Sequence, residues 1–172
     1  MSRLILLTGP PGCGKTTLLR EIAIKSGLNF AGFYTEEIRQ ENKRIGFKLV
    51  SLDGRESLLA SKSIKSRYRV GSYGVALEKF DSFLDTIRMN LFKSAYVLID
   101  EIGKMELLSS KFKSILRSLL QTDATILASI IYRSHPEADI IKKHPDAQLI
   151  ELNRADYTKI RKNIIESIET TA

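Results

Sequence analysis

The chain has 172 residues, of which 43% are apolar and 27% charged, as in a soluble globular protein with a single hydrophobic core. Its one cysteine excludes an internal disulfide, which fits a reducing compartment. The net charge is +7, and the apolar run at residues 4–7 is too short for a signal peptide or a membrane span. We therefore expect a cytoplasmic protein without a membrane partner, acting as a monomer.

A strand predicted at residues 3–8 leads into a glycine-rich loop with the sequence Gly9-Pro10-Pro11-Gly12-Cys13-Gly14-Lys15-Thr16. This is the G-x-x-x-x-G-K-T spacing of a P-loop, and the apolar positions after it predict a helix. Strand, glycine loop and helix form the context in which backbone N–H groups and a helix dipole hold phosphate. The motif predicts a nucleotide bound by residues 9–17, Thr17 included. Lys15 is expected at the β- and γ-phosphates, and the Thr16 hydroxyl on Mg²⁺.

The next part of the chain interrupts the alternation of strands and helices. Strands are predicted at residues 30–38, 46–52 and 56–61, and Asp53-Gly54 is a strong hairpin signal. Residues 33–61 are therefore expected to form an antiparallel β insertion rather than a crossover helix.

The rest of the chain alternates again after a glycine-punctuated stretch at residues 68–74. Helices are predicted at residues 75–92 and 109–120, after Pro136, and at the carboxyl end; strands are predicted at residues 95–99, 124–131 and 147–152. Together these patterns predict a single α/β domain over residues 1–172. Its sheet is expected to be mostly parallel, with helices on both faces and the β insertion at residues 33–61.

Asp100 and Glu101 follow the apolar strand at residues 95–99. The carboxyl ends of parallel strands share one edge of a sheet, so we expect these acids to meet the P-loop. Asp100 is the candidate second Mg²⁺ ligand, opposite Thr16. Glu101 is the candidate general base, placed to orient and deprotonate a water molecule. A carboxylate in this position favours hydrolysis over transfer to a bulky acceptor.

The sequence around these acids, Asp100-Glu101-Ile102-Gly103-Lys104-Met105-Glu106, resembles the signature of the THEP1 family of small nucleoside-triphosphatases. Residues 8–17, Gly32-Phe33-Tyr34-Thr35-Glu36-Glu37 and Val70-Gly71-Ser72-Tyr73-Gly74-Val75 are similar to the same family. The resemblance covers nearly the whole chain. It implies a single-domain P-loop fold and slow, Mg²⁺-dependent hydrolysis of ATP, GTP and other nucleoside triphosphates.

Three further residues are candidates for the site. Lys104 is placed to neutralise charge developing at the γ-phosphate; the alternative is an ion pair with Glu101 or Glu106. Asn153 and Arg154 follow the last predicted strand, where many P-loop proteins contact the base. A helix-capping arrangement with Asp156 explains Asn153 equally well.

Two other functions remain open at this point. A small-molecule or nucleoside kinase shares the P-loop, although no arginine-rich lid is evident. A nucleotide-dependent nucleic-acid-binding module would use the positive charge. The basic residues are spread along the chain, most densely at residues 62–69, and aromatic residues are not interleaved with them as a stacking platform requires. We therefore predict only weak, non-specific nucleic-acid binding without stimulation of hydrolysis.

Overall fold

Nine strands form one sheet in the computed structural model, which describes residues 3–170. The strands are β1 (Leu4–Thr8), β2 (Phe30–Gln40), β3 (Lys43–Ser51), β4 (Glu56–Ser61), β5 (Arg69–Val70), β6 (Tyr73–Val75), β7 (Tyr96–Ile102), β8 (Thr125–Ile130) and β9 (Ala147–Glu151). The helices are α1 (Lys15–Lys25), α2 (Leu77–Lys93), α3 (Ser110–Leu119), α4 (Pro136–Lys142) and α5 (Tyr157–Glu169), with a 3₁₀ turn at Glu106–Leu108. Met1, Ser2, Thr171 and Ala172, which the predicted domain includes, lie outside the described residues.

The strand order across the sheet is β5-β6-β4-β3-β2-β7-β8-β1-β9. Five neighbouring strands, from β2 to β9 in this order, are parallel, and β3 to β6 are antiparallel. The predicted α/β fold with an antiparallel insertion is confirmed. The antiparallel part is larger than residues 33–61, however, because β5 and β6 add two short strands to its outer edge.

Among the predicted boundaries that differ from the structure, two are explained by pairing with a neighbouring strand. The helix predicted at residues 75–92 begins at Leu77, because Val75 pairs with Ala60 of β4 as the last residue of β6. The strand predicted to stop at Ile99 continues to Ile102, because Ile102 still pairs with β8.

Helices cover both faces of the sheet, as predicted. On one face, α1 and α5 pack on buried residues of the central strands, including Ile5, Leu7 and Leu127. On the other, α2 and α3 enclose a larger core around Phe33, whose ring meets Phe80, Phe83 and Phe112 at centroid distances of 5.7–6.4 Å. None of the helices within residues 3–170 has the length and apolar character needed to cross a membrane.

A β-bulge in β7 shapes the edge of the sheet where the parallel strands end. Ile99 pairs with Ala128, and Ile102 with Ile130, so β7 has one more residue than β8 between these two pairs. Asp100 and Glu101 of β7 thus lie opposite the single residue Ser129 of β8. Such bulges bend a strand and redirect its side chains, and this one includes Asp100, which contacts Thr16 at the end of the P-loop.

Candidate active site

The loop between β1 and α1 has a backbone conformation that glycine permits. Gly9 has a φ of 145° and Gly14 a φ of 99°, values that other residues rarely adopt. A Cβ on Gly9 would lie 2.9 Å from the backbone oxygen of Leu152, and a Cβ on Gly14 would lie 3.3 Å from the ring of Tyr157. The residues after β9 and the start of α5 therefore pack directly on the loop. Within residues 9–17, four of the predicted nucleotide-binding residues lie at the surface: Pro10, Pro11, Gly12 and Thr17.

The ammonium group of Lys15 folds over this loop. Its Nζ donates hydrogen bonds to the carbonyl oxygens of Gly9 at 2.8 Å and Pro10 at 3.2 Å, and lies 3.8 Å from Sγ of the buried Cys13. These acceptors are neutral, and Lys15 forms no ion pair with any residue between 3 and 170. The charge of Lys15 is thus held at the loop without a carboxylate to neutralise it, as a phosphate-binding cation requires.

Asp100 is the centre of a hydrogen-bond network that joins the three strands β2, β7 and β8 to α1. The side chain is 2% exposed. Thr16 Oγ1 donates to Asp100 Oδ2 at 2.7 Å, and Ser129 Oγ donates to Oδ1 at 2.6 Å. The backbone N–H of Thr35 donates to Oδ2 at 3.3 Å, and its hydroxyl donates to the Asp100 backbone oxygen at 2.9 Å. The P-loop and the acidic end of β7, which the sequence predicted to meet, are therefore in direct contact.

Thr35 and Ser129 were not identified from the sequence. The sequence signal that could have identified Ser129 is a polar residue near the end of an otherwise apolar buried strand. Thr35 carried no comparable signal, because its contact with Asp100 depends on β2 lying beside β7.

Glu101 lies beside Asp100 and is partly buried. Burial of its side chain raises the pKa of the Glu101 carboxyl above its usual range, and the negative charge of Asp100 raises it further. The positive charge of Lys15 acts in the opposite direction. The charges of the P-loop cation Lys15 and of the candidate metal ligand Asp100 therefore both act on the pKa of Glu101. This is expected for a group at the reaction centre.

Glu106 is a second buried carboxyl close to Glu101. A Cβ on Gly103 would lie 3.0 Å from Oε1 of Glu101 and 3.0 Å from Oε2 of Glu106, so the two oxygens lie within twice that distance of each other. Burial, followed by the charge of Glu101, raises the pKa of Glu106 well above its usual range. Backbone N–H groups of Gly103 and of Glu106 itself hydrogen-bond to this carboxyl, which fixes the turn that carries Lys104.

The side chain of Lys104 is exposed. The sequence left open an ion pair with Glu101 or Glu106, but no ion pair of Lys104 exists within residues 3–170. Lys104 is thus a solvent-exposed cation that lies three residues after Glu101 and two residues before Glu106 in the chain.

Asn153 and Arg154 lie between β9 and α5, near the P-loop. Arg154 Nη2 donates to the backbone oxygen of Gly12 at 3.3 Å. The Asn153 amide donates to the Asp156 carboxylate and accepts from the Asp156 backbone N–H, both at 2.8 Å. The predicted pairing of Asn153 with Asp156 is present, but α5 begins one residue after Asp156, so Asn153 stabilises the approach to the helix and not its first turn.

Comparison with known proteins agrees with this geometry. The profile of a protein family described as NTPase matches residues 4–165. The chain belongs to this NTPase family. It is 40% identical over 162 residues to the nucleoside-triphosphatase THEP1 of Thermotoga petrophila, covering 94% of this chain and 90% of that protein.

Two solved structures of this NTPase family are similar along almost the whole chain. The crystal structure of THEP1 from Aquifex aeolicus has a TM-score of 0.86 and 36% identity, covering 93% of this chain and 95% of the other. The solution structure of a human cancer-related nucleoside triphosphatase has a TM-score of 0.84 and 32% identity, covering 99% and 100%. The resemblance inferred from the motifs, and the enzyme class that it implied, are confirmed.

Proposed function

We propose that this nucleoside-triphosphatase transfers the terminal phosphate of ATP, GTP and other nucleoside triphosphates to water, with Mg²⁺ and with little preference for the base. The observation that carries the proposal is the 2.7 Å hydrogen bond between Thr16 and Asp100, with Glu101 next in the chain. This contact joins the phosphate loop to the acidic strand end. All these groups come from one chain and one sheet, so we propose that residues 1–172 act as a single domain and as a monomer.

The oxygens of Thr16 and Asp100 fit a magnesium ion. Mg²⁺ prefers hard oxygen ligands and is usually held by one or two carboxylates together with substrate phosphates and water. A hydroxyl and a carboxylate already in contact provide such a set, and Ser129 holds the Asp100 carboxylate from its other oxygen. When bound, Mg²⁺ would neutralise charge on the β- and γ-phosphate oxygens.

The P-loop provides the phosphate site in this proposal. The first N–H groups of α1 have no partner within the helix, so they can donate to phosphate oxygens. Lys15 exchanges its neutral acceptors, the Gly9 and Pro10 carbonyls, for charged phosphate oxygens. Hydrogen bonds to a charged acceptor are about twice as strong as neutral ones, which favours this exchange.

Glu101 is proposed to hold the attacking water and accept its proton. Two other acids in the neighbourhood, Glu36 and Glu37, are engaged in ion pairs. Glu36 pairs with Arg20 and Lys48, and Glu37 with Arg39 and Arg44. Hydrogen bonds from the arginines lower the pKa of Glu37 below its usual range. Glu101 is thus the better proton acceptor among these acids.

The surroundings of Asn153 and Arg154 support the proposal that the site discriminates little between bases. Discrimination between bases requires polar groups that are free to pair with a base edge. The Asn153 amide is already occupied by Asp156. Arg154 is exposed and can stack on any base through its planar guanidinium group.

The direct test is phosphate release from ATP, GTP, CTP and UTP in the absence of any phosphate acceptor, with Mg²⁺ or with a chelator. We expect release from all four, with kcat/KM values within about tenfold of each other, as for sites without a base-specific hydrogen bond. We expect no release with the chelator. Release that requires an added nucleoside or sugar would instead indicate a kinase.

Replacing Lys104 with alanine is expected to lower kcat by about tenfold or more, because we propose that this cation stabilises the negative charge that develops at the γ-phosphate. Affinity for a nucleoside diphosphate should remain, since a diphosphate lacks the group that Lys104 contacts. The melting temperature should also remain, because Lys104 is exposed and forms no ion pair within residues 3–170.

The matched control is Lys93→Ala. Lys93 is an exposed lysine at the end of α2, just before β7 begins, and therefore at the opposite edge of the sheet from the P-loop. A Lys104→Ala protein with a lower melting temperature and an unchanged single-turnover rate would show that Lys104 has a structural role.

A further inference from the structure

The positive charge of the chain is concentrated in one part of the fold. Residues 43–75, from the start of β3 to the end of β6, contain 8 of the 27 basic residues and 2 of the 20 acidic residues. The segment is less than a fifth of the chain but has a net charge of +6. The rest of the chain, with 19 basic and 18 acidic residues, contributes only +1 to the total of +7. The stretch at residues 62–69, where the sequence is densest in basic residues, lies within this segment.

Most of this charge is not neutralised. The basic residues of the segment that are exposed and form no ion pair within residues 3–170 are Lys43, Lys62, Lys65, Arg67 and Arg69. Four of them belong to the loop between β4 and β6 or to β5 itself. This loop packs closely on β6, since a Cβ on Gly74 would lie 2.2 Å from the backbone oxygen of Ile64. We call these four residues, Lys62, Lys65, Arg67 and Arg69, the basic edge.

Aromatic rings lie among these cations. The Arg67 guanidinium lies 4.9 Å from the centre of the Tyr68 ring, and the Lys62 ammonium lies 5.7 Å from that of Tyr73. Tyr73 also packs on Phe47 at a centroid distance of 5.1 Å. The sequence did not predict this arrangement, because Phe47 is on β3 and Tyr73 on β6. The strand between them, β4, has small residues at this level of the sheet.

We propose that the basic edge, together with Tyr68 and Tyr73, binds single-stranded nucleic acid. Unpaired cations along a strand edge attract successive phosphates and release their counterions. Bases of a single strand stack on aromatic rings and on guanidinium planes, both of which are present here. A duplex hides its bases and gains only the phosphate contacts.

A membrane surface fits this edge less well. Binding in the plane of a membrane requires apolar side chains that enter the lipid. Within residues 3–170, the exposed large apolar side chains all lie outside residues 43–75: Ile24, Met89, Phe92, Tyr132, Ile140 and Leu149. The tyrosines of the segment are only partly exposed and lie beneath their cations.

This binding is separate from hydrolysis. Lys62 and Tyr73 lie toward the edge of the sheet where the P-loop lies, since Ser61 at the end of β4 pairs with Gly74. Four strands nevertheless separate β6 from β8, which neighbours the P-loop strand β1. None of the residues of the basic edge contacts Lys15, Asp100 or Glu101. The proposal therefore does not depend on the proposed mechanism.

The test measures fluorescence anisotropy of labelled oligo(U) RNA and oligo(dT) DNA of about 20 nucleotides with the full chain, between about 50 and 200 mM salt. We expect both to bind with micromolar affinity, and a duplex of the same length to bind more weakly. The quadruple variant Lys62→Ala, Lys65→Ala, Arg67→Ala, Arg69→Ala should weaken binding at least about tenfold. Because each lost phosphate contact lowers the slope of log affinity against log salt by about 0.7, the slope should fall by about 3.

The matched control replaces two lysines and two arginines elsewhere, Arg88, Lys93, Arg117 and Lys143, which are also exposed. It has the same net charge as the first variant and should bind the oligonucleotides like the unaltered protein. Both variants should hydrolyse ATP at the unaltered rate, which shows that they are folded. Equal binding by the two variants would overturn the proposal, as would a duplex that binds as tightly as the single strands. Cosedimentation with phosphatidylserine vesicles but no oligonucleotide binding would also overturn it.

Discussion

The Lys15→Ala protein is expected to lose most of its nucleotide affinity and at least about 10²-fold in kcat, the scale observed when a preorganised charge-stabilising donor is removed. Lys15 is the cation whose ammonium group lies over the loop, 2.8 Å from the Gly9 oxygen. The other nearby cation, Arg154, contacts the exposed Gly12 from outside. Arg154 therefore cannot replace the Lys15 charge, which lies over the loop at Gly9.

Calorimetric titration with ADP and Mg²⁺, combined with phosphate release from ATP, measures both losses. The control is Lys25→Ala at the other end of α1, where the lysine is exposed and forms a 3.6 Å ion pair with Glu21. Because Lys15 bonds only to its own loop, its removal should leave the melting temperature of the nucleotide-free protein unchanged. Normal binding and hydrolysis by Lys15→Ala would show that the P-loop is not the nucleotide site.

Those parts of the site that are contiguous in the chain were predicted from the sequence. The P-loop combines a strand, a glycine turn and a helix start, and each of these has a local pattern that no distant contact overrides. Asp100 was placed next to Thr16 by one general rule, that parallel strands end at the same edge of a sheet. The 2.7 Å contact between the two residues follows from that rule.

Those parts that depend on strand order were not predicted. Thr35 contacts Asp100 only because β2 lies beside β7, and Ser129 only because β8 lies on its other side. Hydrophobic patterns determine which residues form strands, but they do not determine which strands become neighbours. The bulge beside Glu101 and the stacking of Phe47 on Tyr73 have the same origin, since each depends on the register between strands.

The same reasoning explains why the charged residues were harder to interpret than the apolar ones. From the sequence, Glu101 was the candidate general base, but the local pattern alone does not exclude the acids Glu36 and Glu37. In the structure, β2 and β3 pair along this stretch, and Arg44 of β3 binds Glu37 of β2 at 3.0 Å. Glu101 has no arginine partner within residues 3–170. Pairing across the sheet thus separates Glu37, which is held by arginines, from the candidate general base Glu101.

Replacing Glu101 with glutamine should lower kcat by about 10²-fold or more, as expected when a general base is removed. Glutamine keeps the shape of the side chain but cannot accept a proton from water. Affinity for nucleotide and Mg²⁺ should persist, because the Thr16–Asp100 contact and Lys15 are unchanged. Single-turnover hydrolysis of radiolabelled ATP measures the chemical step, and calorimetric titration measures binding.

Glu37→Gln is the matched control for this prediction. It replaces an acid on the neighbouring strand whose carboxylate is held by Arg39 and Arg44, so it should leave the single-turnover rate unchanged. An unchanged rate for Glu101→Gln would contradict the general-base assignment. Glu106 would then be the next candidate, because, apart from the candidate metal ligand Asp100, it is the acid near Glu101 that has no arginine or lysine partner within residues 3–170. Its burial keeps it from contacting water unless the turn at Gly103 opens, and this alternative predicts that Glu106→Gln, rather than Glu101→Gln, lowers the single-turnover rate.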